Sequence, residues 1–335
     1  MNKKILAILM ALLMVLVNVA AFAEEGGDDI TAPAANSFTI TKQYNAPEGV
    51  TVVPGEELTF TATFDKFEAA ATGATSSKHP TYSGNITAVV GANTVTITGS
   101  GEFDAAGKYY YTLSETEGSV QGVTYGAETI SVILTVGYEK GVLALLDVGV
   151  AKDKDGNKNG TITNTYAVGG VNISKTVTGN AANLNDTFKA TVTVAAAGEN
   201  KLPSQFTVNY TDINNPDGTA VSLTSANPTF EVTLKQDTNV VITNLPLGAT
   251  VTVAENDEKV NAANAETKDA AKYDASYANN GAAAAATAPT IAVTNTRTTS
   301  IDTGVNTDSL PYFMLLAFVM ILAAAVVLKK RTVNE

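Results

Sequence analysis

The feature that most limits what this chain can fold into is a period-two alternation of threonine with apolar residues, repeated in short runs along its middle. Phe38-Thr39-Ile40-Thr41, Leu58-Thr59-Phe60-Thr61-Ala62-Thr63-Phe64 and Val95-Thr96-Ile97-Thr98 are of this kind, and Val240-Val241-Ile242 is β-branched throughout. Successive side chains of a strand point to opposite faces, so this spacing buries one face and wets the other. Turn formers punctuate the runs, as in Asp155-Gly156, Asn215-Pro216-Asp217-Gly218 and Asn279-Asn280-Gly281. Short alternating strands between such turns predict an all-β chain of antiparallel sandwiches. Residues 24–36 read as a loose leader, and the alanine-rich stretch 281–288 as a surface loop.

The strands repeat. The first half opens with Phe38-Thr39-Ile40-Thr41-Lys42 and closes with Thr161-Ile162-Thr163-Asn164-Thr165. The second opens with Val171-Asn172-Ile173-Ser174-Lys175 and closes with Ile291-Ala292-Val293-Thr294-Asn295-Thr296. Between each pair lies a strand that ends in a glutamate, Tyr111-Thr112-Leu113-Ser114-Glu115 and Val251-Thr252-Val253-Ala254-Glu255. Lys42 and Asn164 are 122 residues apart, Lys175 and Asn295 120 apart. The expected division is two tandem domains, 37–167 and 168–299, with the boundary near Ala167-Val168-Gly169-Gly170.

Phase turns these residues into a chemical expectation. Lys42 shares a face with Ile40 and Phe38, Lys175 with Ile173 and Val171, Glu115 with Leu113, Glu255 with Val253, Asn164 with Ile162, and Asn295 with Val293. Each domain therefore sets an amine, a carboxyl and a carboxamide on its apolar face. Burial costs several kcal/mol per charge unless the groups pair or neutralise. It lowers a lysine pKa and raises a glutamate pKa, leaving a nucleophilic free amine beside a neutral acid. Such an acid polarises the carboxamide and carries protons as ammonia leaves. Fixed geometry supplies the effective concentration for a reaction that need happen only once per molecule. The product is a Lys–Asn isopeptide bond, with Glu115 and Glu255 as the catalytic acids. Any one of these residues has an ordinary reading, since strand lysines snorkel to water and asparagines end strands. It is the same ordered triplet at matching spacing in both halves that favours the bond.

The ends are addresses. Residues 1–23 have a basic start at Lys3-Lys4, an apolar run from Ile5 to Val19, and Ala21-Phe22-Ala23 before Glu24. That is the pattern of a secretory signal peptide cut after Ala23. At the other end, residues 310–328 are uncharged and apolar, long enough for a transmembrane helix, and Lys329-Lys330-Arg331 hold the following tail on the cytoplasmic side. An ordinary single-pass membrane protein shares that tail. Upstream stands Ser300-Ile301-Asp302-Thr303-Gly304. A Thr-Gly pair, a polar spacer, an apolar span and a basic stop together resemble a Gram-positive sortase sorting signal. In that family the usual motif is LPxTG or a variant such as VPTG, cut between threonine and glycine. Ile301, Thr303 and Gly304 match it, while Asp302 stands where proline is usual. The resemblance implies a sortase motif at 300–304 and a sorting tail at 305–335 that inserts only transiently in the membrane.

Composition removes other classes. The chain has no cysteine and one histidine, His79, so disulfides, zinc-type ligand sets and histidine-based triads are excluded on inventory, and no cofactor or metal is expected. Setting aside residues 1–23 and 304–335 leaves 16 basic against 31 acidic residues, a net of −15, which disfavours nucleic acid as a partner.

The body, roughly 36–304, resembles the Gram-positive major pilins, tandem immunoglobulin-like sandwiches with self-generated Lys–Asn isopeptide bonds. The matching segments are Ile40-Thr41-Lys42, Gly107-Lys108-Tyr109-Tyr110-Tyr111 with Leu113-Ser114-Glu115, and Ile162-Thr163-Asn164-Thr165. The second set is Ile173-Ser174-Lys175-Thr176-Val177-Thr178-Gly179, Val253-Ala254-Glu255 and Val293-Thr294-Asn295-Thr296. The resemblance implies a covalent homopolymer on the bacterial cell wall, in which a sortase joins Thr303 of one subunit to a lysine of the next. Minor pilins and peptidoglycan are further implied partners. In relatives the acceptor lysine lies a few residues before the first closing asparagine; Lys158 fits best, with Lys152 and Lys154 as rivals. Two other functions stay open at this point: a monomeric wall-anchored adhesin, and an exported glycan-acting enzyme using paired carboxylates.

Overall fold

The computed structural model describes residues 36–150, 158, 160–260, 273–298 and 310–332. Side chains are described for these except at 256–260, 310–311 and 327–332. The expected signal peptide, Lys152, Lys154 and the Thr303–Gly304 cleavage point lie outside the described residues.

The first half holds β1 (Ser37–Asn45), β2 (Val52–Val53), β3 (Glu57–Ala69), β4 (Thr81–Thr87), β5 (Gly91–Ser100), β6 (Gly107–Glu115), β7 (Val123–Thr124), β8 (Ile130–Glu139), β9 (Val142–Val150) and β10 (Thr161–Tyr166). All but β2 join one continuous sheet in the order β7-β10-β1-β5-β4-β3-β6-β8-β9. Strand β4 turns the corner: one end pairs with β5 through Thr81–Ser83, and its length pairs with β3. The period-two pattern implied layers; hydrogen bonding through β4 makes them one folded sheet. Between β8 and β9, Lys140 and Gly141 both take positive φ, 49° and 87°, the two-residue turn whose twist matches paired strands.

The second half holds β11 (Val168–Thr178), β12 (Thr187–Ala195), β13 (Gln205–Thr211), β14 (Thr219–Thr224), β15 (Thr229–Lys235), β16 (Asn239–Pro246), β17 (Thr250–Val260), β18 (Asp274–Ala278), β19 (Ala282–Ala283) and β20 (Thr290–Thr296). These form two sheets, β14-β13-β16-β11-β20-β18 and β15-β12-β17-β19. The alanine-rich stretch is not the surface loop its composition suggested. Ala282 and Ala284 are buried, β19 pairs with β17, and Gly170 exchanges backbone hydrogen bonds with Ala285. Small side chains allow this close approach: a Cβ on Gly169 would lie 2.7 Å from the Ala285 nitrogen.

Alternation places the core as expected. Along β6, Tyr109, Tyr111 and Leu113 point inward, while Tyr110 faces out to donate a hydrogen bond to Glu68 Oε2 at 2.7 Å. The two buried tyrosines satisfy their hydroxyls on carbonyls, Tyr109 on Ala105 and Tyr111 on Pro80, each at 2.8 Å. Tyr82 packs edge-on against Tyr111 with ring centres 5.1 Å apart.

The halves are fastened to each other. β2 adds to the edge of the second half through Val52↔Phe206 and Val53↔Gln205. The buried Gln121 donates through Nε2 to the Leu247 carbonyl at 2.6 Å, and its Oε1 accepts from Ala197 N at 2.9 Å and Asn200 Nδ2 at 3.2 Å.

A helix, α1 (Leu310–Thr332), covers the apolar stretch expected to span a membrane. Among the described residues no helix is long and apolar enough to cross a membrane.

Candidate isopeptide sites

In each half the first and last strands lie side by side and parallel. β1 pairs with β10 so that Lys42 is opposite Ile162 and Tyr44 opposite Asn164. β11 pairs with β20 so that Lys175 is opposite Val293 and Val177 opposite Asn295. In both, the asparagine sits two residues beyond the lysine's partner. A shift of two keeps the face, so amine and carboxamide are diagonal neighbours on one apolar surface. The glutamate comes from elsewhere in each half, from β6 and from β17.

At the first site the Lys42 and Glu115 side chains are each 1 % exposed, with Nζ 2.5 Å from Glu115 Oε2. Asn164 is fully buried and donates through Nδ2 to Glu115 Oε1 at 2.6 Å. One carboxyl thus bridges the nucleophile and the group that must leave. Burial pulls the Lys42 pKa below its ordinary value, against the opposing pull of Glu115. A lysine so held gives up its proton more readily than one in water.

The surroundings are polar. Glu56 accepts a hydrogen bond from Tyr125 at 2.6 Å through Oε2, while its buried Oε1 has no partner among the described residues. Burial raises its pKa, Tyr125 opposes the rise, and the charge of Glu115 adds to it. The buried hydroxyls of Tyr44 and Tyr166 also have no hydrogen-bond partner among the described residues, and burial raises the pKa of both tyrosines. Glu56 lines a cleft of about 680 Å³ at the joint with the second half, shared with Gly118, Lys201 and Ser225.

The second site has the same plan. Lys175 Nζ lies 2.6 Å from Glu255 Oε1, their side chains 0 % and 7 % exposed. The same nitrogen sits over the Phe188 ring, 4.3 Å from its centre. Burial lowers the Lys175 pKa and Glu255 opposes the fall. Asn295 is buried, and its Oδ1 has no hydrogen-bond partner among the described residues.

The structure therefore brings together Lys42, Glu115 and Asn164, and pairs Lys175 with Glu255 on the face that carries Asn295. Lys158 is exposed. Glu56, Gln121 and Gly126 stand in segments without alternation, where the sequence carries no signal for them. Among the described residues no cluster of His, Asp and Glu is arranged to hold a metal ion.

Fold and sites together define a class: all-β chains in which each half carries a lysine on its first strand and an asparagine on its last, beside a buried glutamate. Residues 38–167 match the family described as Spy0128-like isopeptide containing domain, and residues 169–297 match a domain of unknown function, DUF7601. The major pilin from Streptococcus pyogenes has the same fold, with a TM-score of 0.55 and 19% identity, over 78% of this chain and 99% of that one. The S. pyogenes major pilin T-13 gives a TM-score of 0.54 and 18% identity, over 78% and 97% of the respective chains. No curated protein sequence matches the chain. Residues 38–167 thus match a Spy0128-like isopeptide containing domain, and the fold shared with the S. pyogenes major pilins extends over both halves of the chain.

Proposed function

We propose that this chain is the shaft subunit of a covalently polymerised cell-surface pilus, each of its two domains, 37–167 and 168–299, locked by one Lys–Asn isopeptide bond. The observation that carries the reading is the bridging carboxyl of Glu115, one oxygen on the Lys42 amine and the other on the Asn164 carboxamide nitrogen. A proton passes from Lys42 to Glu115, leaving a neutral amine and a neutral acid. The Nζ lone pair attacks Asn164 Cγ, and the Cγ–Nδ2 bond breaks as Nδ2 takes up a proton from Glu115. Ammonia leaves, an amide joins Lys42 to Asn164, and the second proton given up by the amine stays on Glu115, which ends as a neutral acid. Glu255 serves Lys175 and Asn295 in the same way. The protein's chemistry is then self-modification, and its role is structural.

The remaining steps belong to the ends. The signal peptide 1–23 directs export, and the span at 310–328 with its basic stop holds the chain for a sortase. That enzyme cuts between Thr303 and Gly304 and joins Thr303 to Lys158 of the next subunit, or to the cell wall. Exposure of Lys158 supports its choice as acceptor. The intact mass of the full-length chain tests the self-modification. Two ammonias lost from the parent and one from Glu115→Ala or Glu255→Ala is the expected result; an unmodified parent mass sinks the proposal. A ladder of high-mass species on the cell, lost in Lys158→Ala, tests polymerisation.

A further inference from the structure

The isopeptide mechanism leaves a charge unattended. As Nζ closes on Cγ, negative charge builds on the carboxamide oxygen, and Glu115 is already engaged with the amine and the leaving nitrogen. At the first site that oxygen has a donor of its own. The backbone N–H of Gly126 donates to Asn164 Oδ1 at 2.9 Å. A backbone N–H can donate only, and a carboxylate oxygen can accept only from the amide NH2, so these two contacts together fix which end of the carboxamide is which.

Accordingly, resting on the isopeptide reading above, we propose that the Gly126 N–H is the oxyanion donor of the first site, a catalytic group that stabilises the tetrahedral intermediate formed at Asn164.

The local chain is built to hold it there. β7 pairs with the outer edge of β10 through Thr124↔Thr165 and Val123↔Tyr166, and brings the next residues alongside Asn164. Tyr125 is fixed from two sides, donating to Glu56 Oε2 at 2.6 Å and accepting from Val120 N at 2.9 Å. Residue 126 must then be glycine. A Cβ there would lie 2.4 Å from the Thr163 carbonyl oxygen and 2.2 Å from Glu128 Oε2, so any side chain pushes the N–H away from its acceptor. A donor fixed before reaction, in a site closed to water, needs no reorganisation as the charge appears.

The second site is built otherwise. Its outer neighbour is the regular strand β18, whose Ala275 sits opposite Asn295, and Asn295 Oδ1 has no hydrogen-bond partner among the described residues. The second bond forms at a site remote from Gly126, which makes it an internal standard in every molecule.

The test uses the full-length chain made by cell-free translation and sampled over time. Ammonia loss is read by intact mass, and each bond is assigned from its cross-linked peptides after digestion. Two changes are compared with the parent: Gly126→Ala, which displaces the N–H, and an amide-to-ester replacement at Gly126, which deletes the N–H while keeping the glycine backbone. We expect each to slow the first bond by about 10²–10³-fold, the effect of removing one such donor, with the second bond unchanged. The ester variant decides if Gly126→Ala disturbs folding. A parent rate for the first bond in the ester variant overturns the proposal while leaving the isopeptide reading intact. A parent chain that loses no ammonia overturns both.

Discussion

Replacing Asn295 with alanine isolates what one cross-link contributes. The substitution removes the electrophile but leaves the Lys175–Glu255 pair, at 2.6 Å, so no buried charge is orphaned. It also strands no partner, because Asn295 Oδ1 accepts no hydrogen bond among the described residues. What is lost is the closure of the 120-residue loop between Lys175 and Asn295. Chain statistics for a cross-link of that length give about 16 cal/mol/K, or about 5 kcal/mol at 25 °C, taken from the unfolded state. For a domain of this size about 3–5 °C of melting temperature goes with each kcal/mol, so the second sandwich should melt roughly 15–25 °C lower. Scanning calorimetry on the full-length chain reads this as one displaced transition, with the first sandwich's transition in place. Intact mass on the same sample should show one ammonia lost instead of two. A second ammonia still lost would mean that Asn295 is not the electrophile. One ammonia lost with a shift of only a few degrees would refute the loop-closure argument.

Four further outcomes follow from the same geometry. Glu115→Ala should abolish the first bond and leave Lys42 buried without its partner, destabilising the first sandwich by about 3–5 kcal/mol beyond the lost cross-link; chemical denaturation of Glu115→Ala against Asn164→Ala measures the difference. In Asn295→Ala, Lys175 stays a free amine whose folded pKa lies below the ordinary 10.5. The unfolded chain then binds more protons between those values, so stability should rise with pH across that window and level off above it. Urea midpoints that stay flat or fall through the window would contradict that. Gln121→Ala removes three hydrogen bonds across the joint, expected to weaken coupling of the sandwiches by about 1–3 kcal/mol and to separate their melting transitions. Finally, force entering at Lys158 and leaving at Thr303 passes through Asn164, Lys175 and Asn295, bypassing most residues able to unfold. Pulling on assembled pili should show almost no unfolding steps, and regular long extensions would refute that path.

Much of this protein was legible before its structure. Alternation named the buried faces of β1, β6, β11 and β20, because a strand's side chains have only two directions and apolar ones choose the same one. That rule alone put Lys42, Asn164, Lys175 and Asn295 inward, and all four are buried. Repetition of the triplet paired each lysine with its glutamate across 73 residues in the first half and 80 in the second. What alternation cannot supply is which strands become neighbours. The parallel pairing of first with last strand, offset so that asparagine lies diagonally beyond lysine, depends on contacts more than a hundred residues apart. The turn of the sheet at β4 has the same origin, as has burial of the alanine stretch against Gly169 and Gly170. Gly126 and Gln121 were illegible for a related reason: one acts through its backbone, the other through a side chain between domains, and neither use leaves a period in the sequence. The sequence determined which side chains must escape water, since transfer free energy is a property of the residue. Only the tertiary structure decided which of them meet, since that depends on the path of the whole chain.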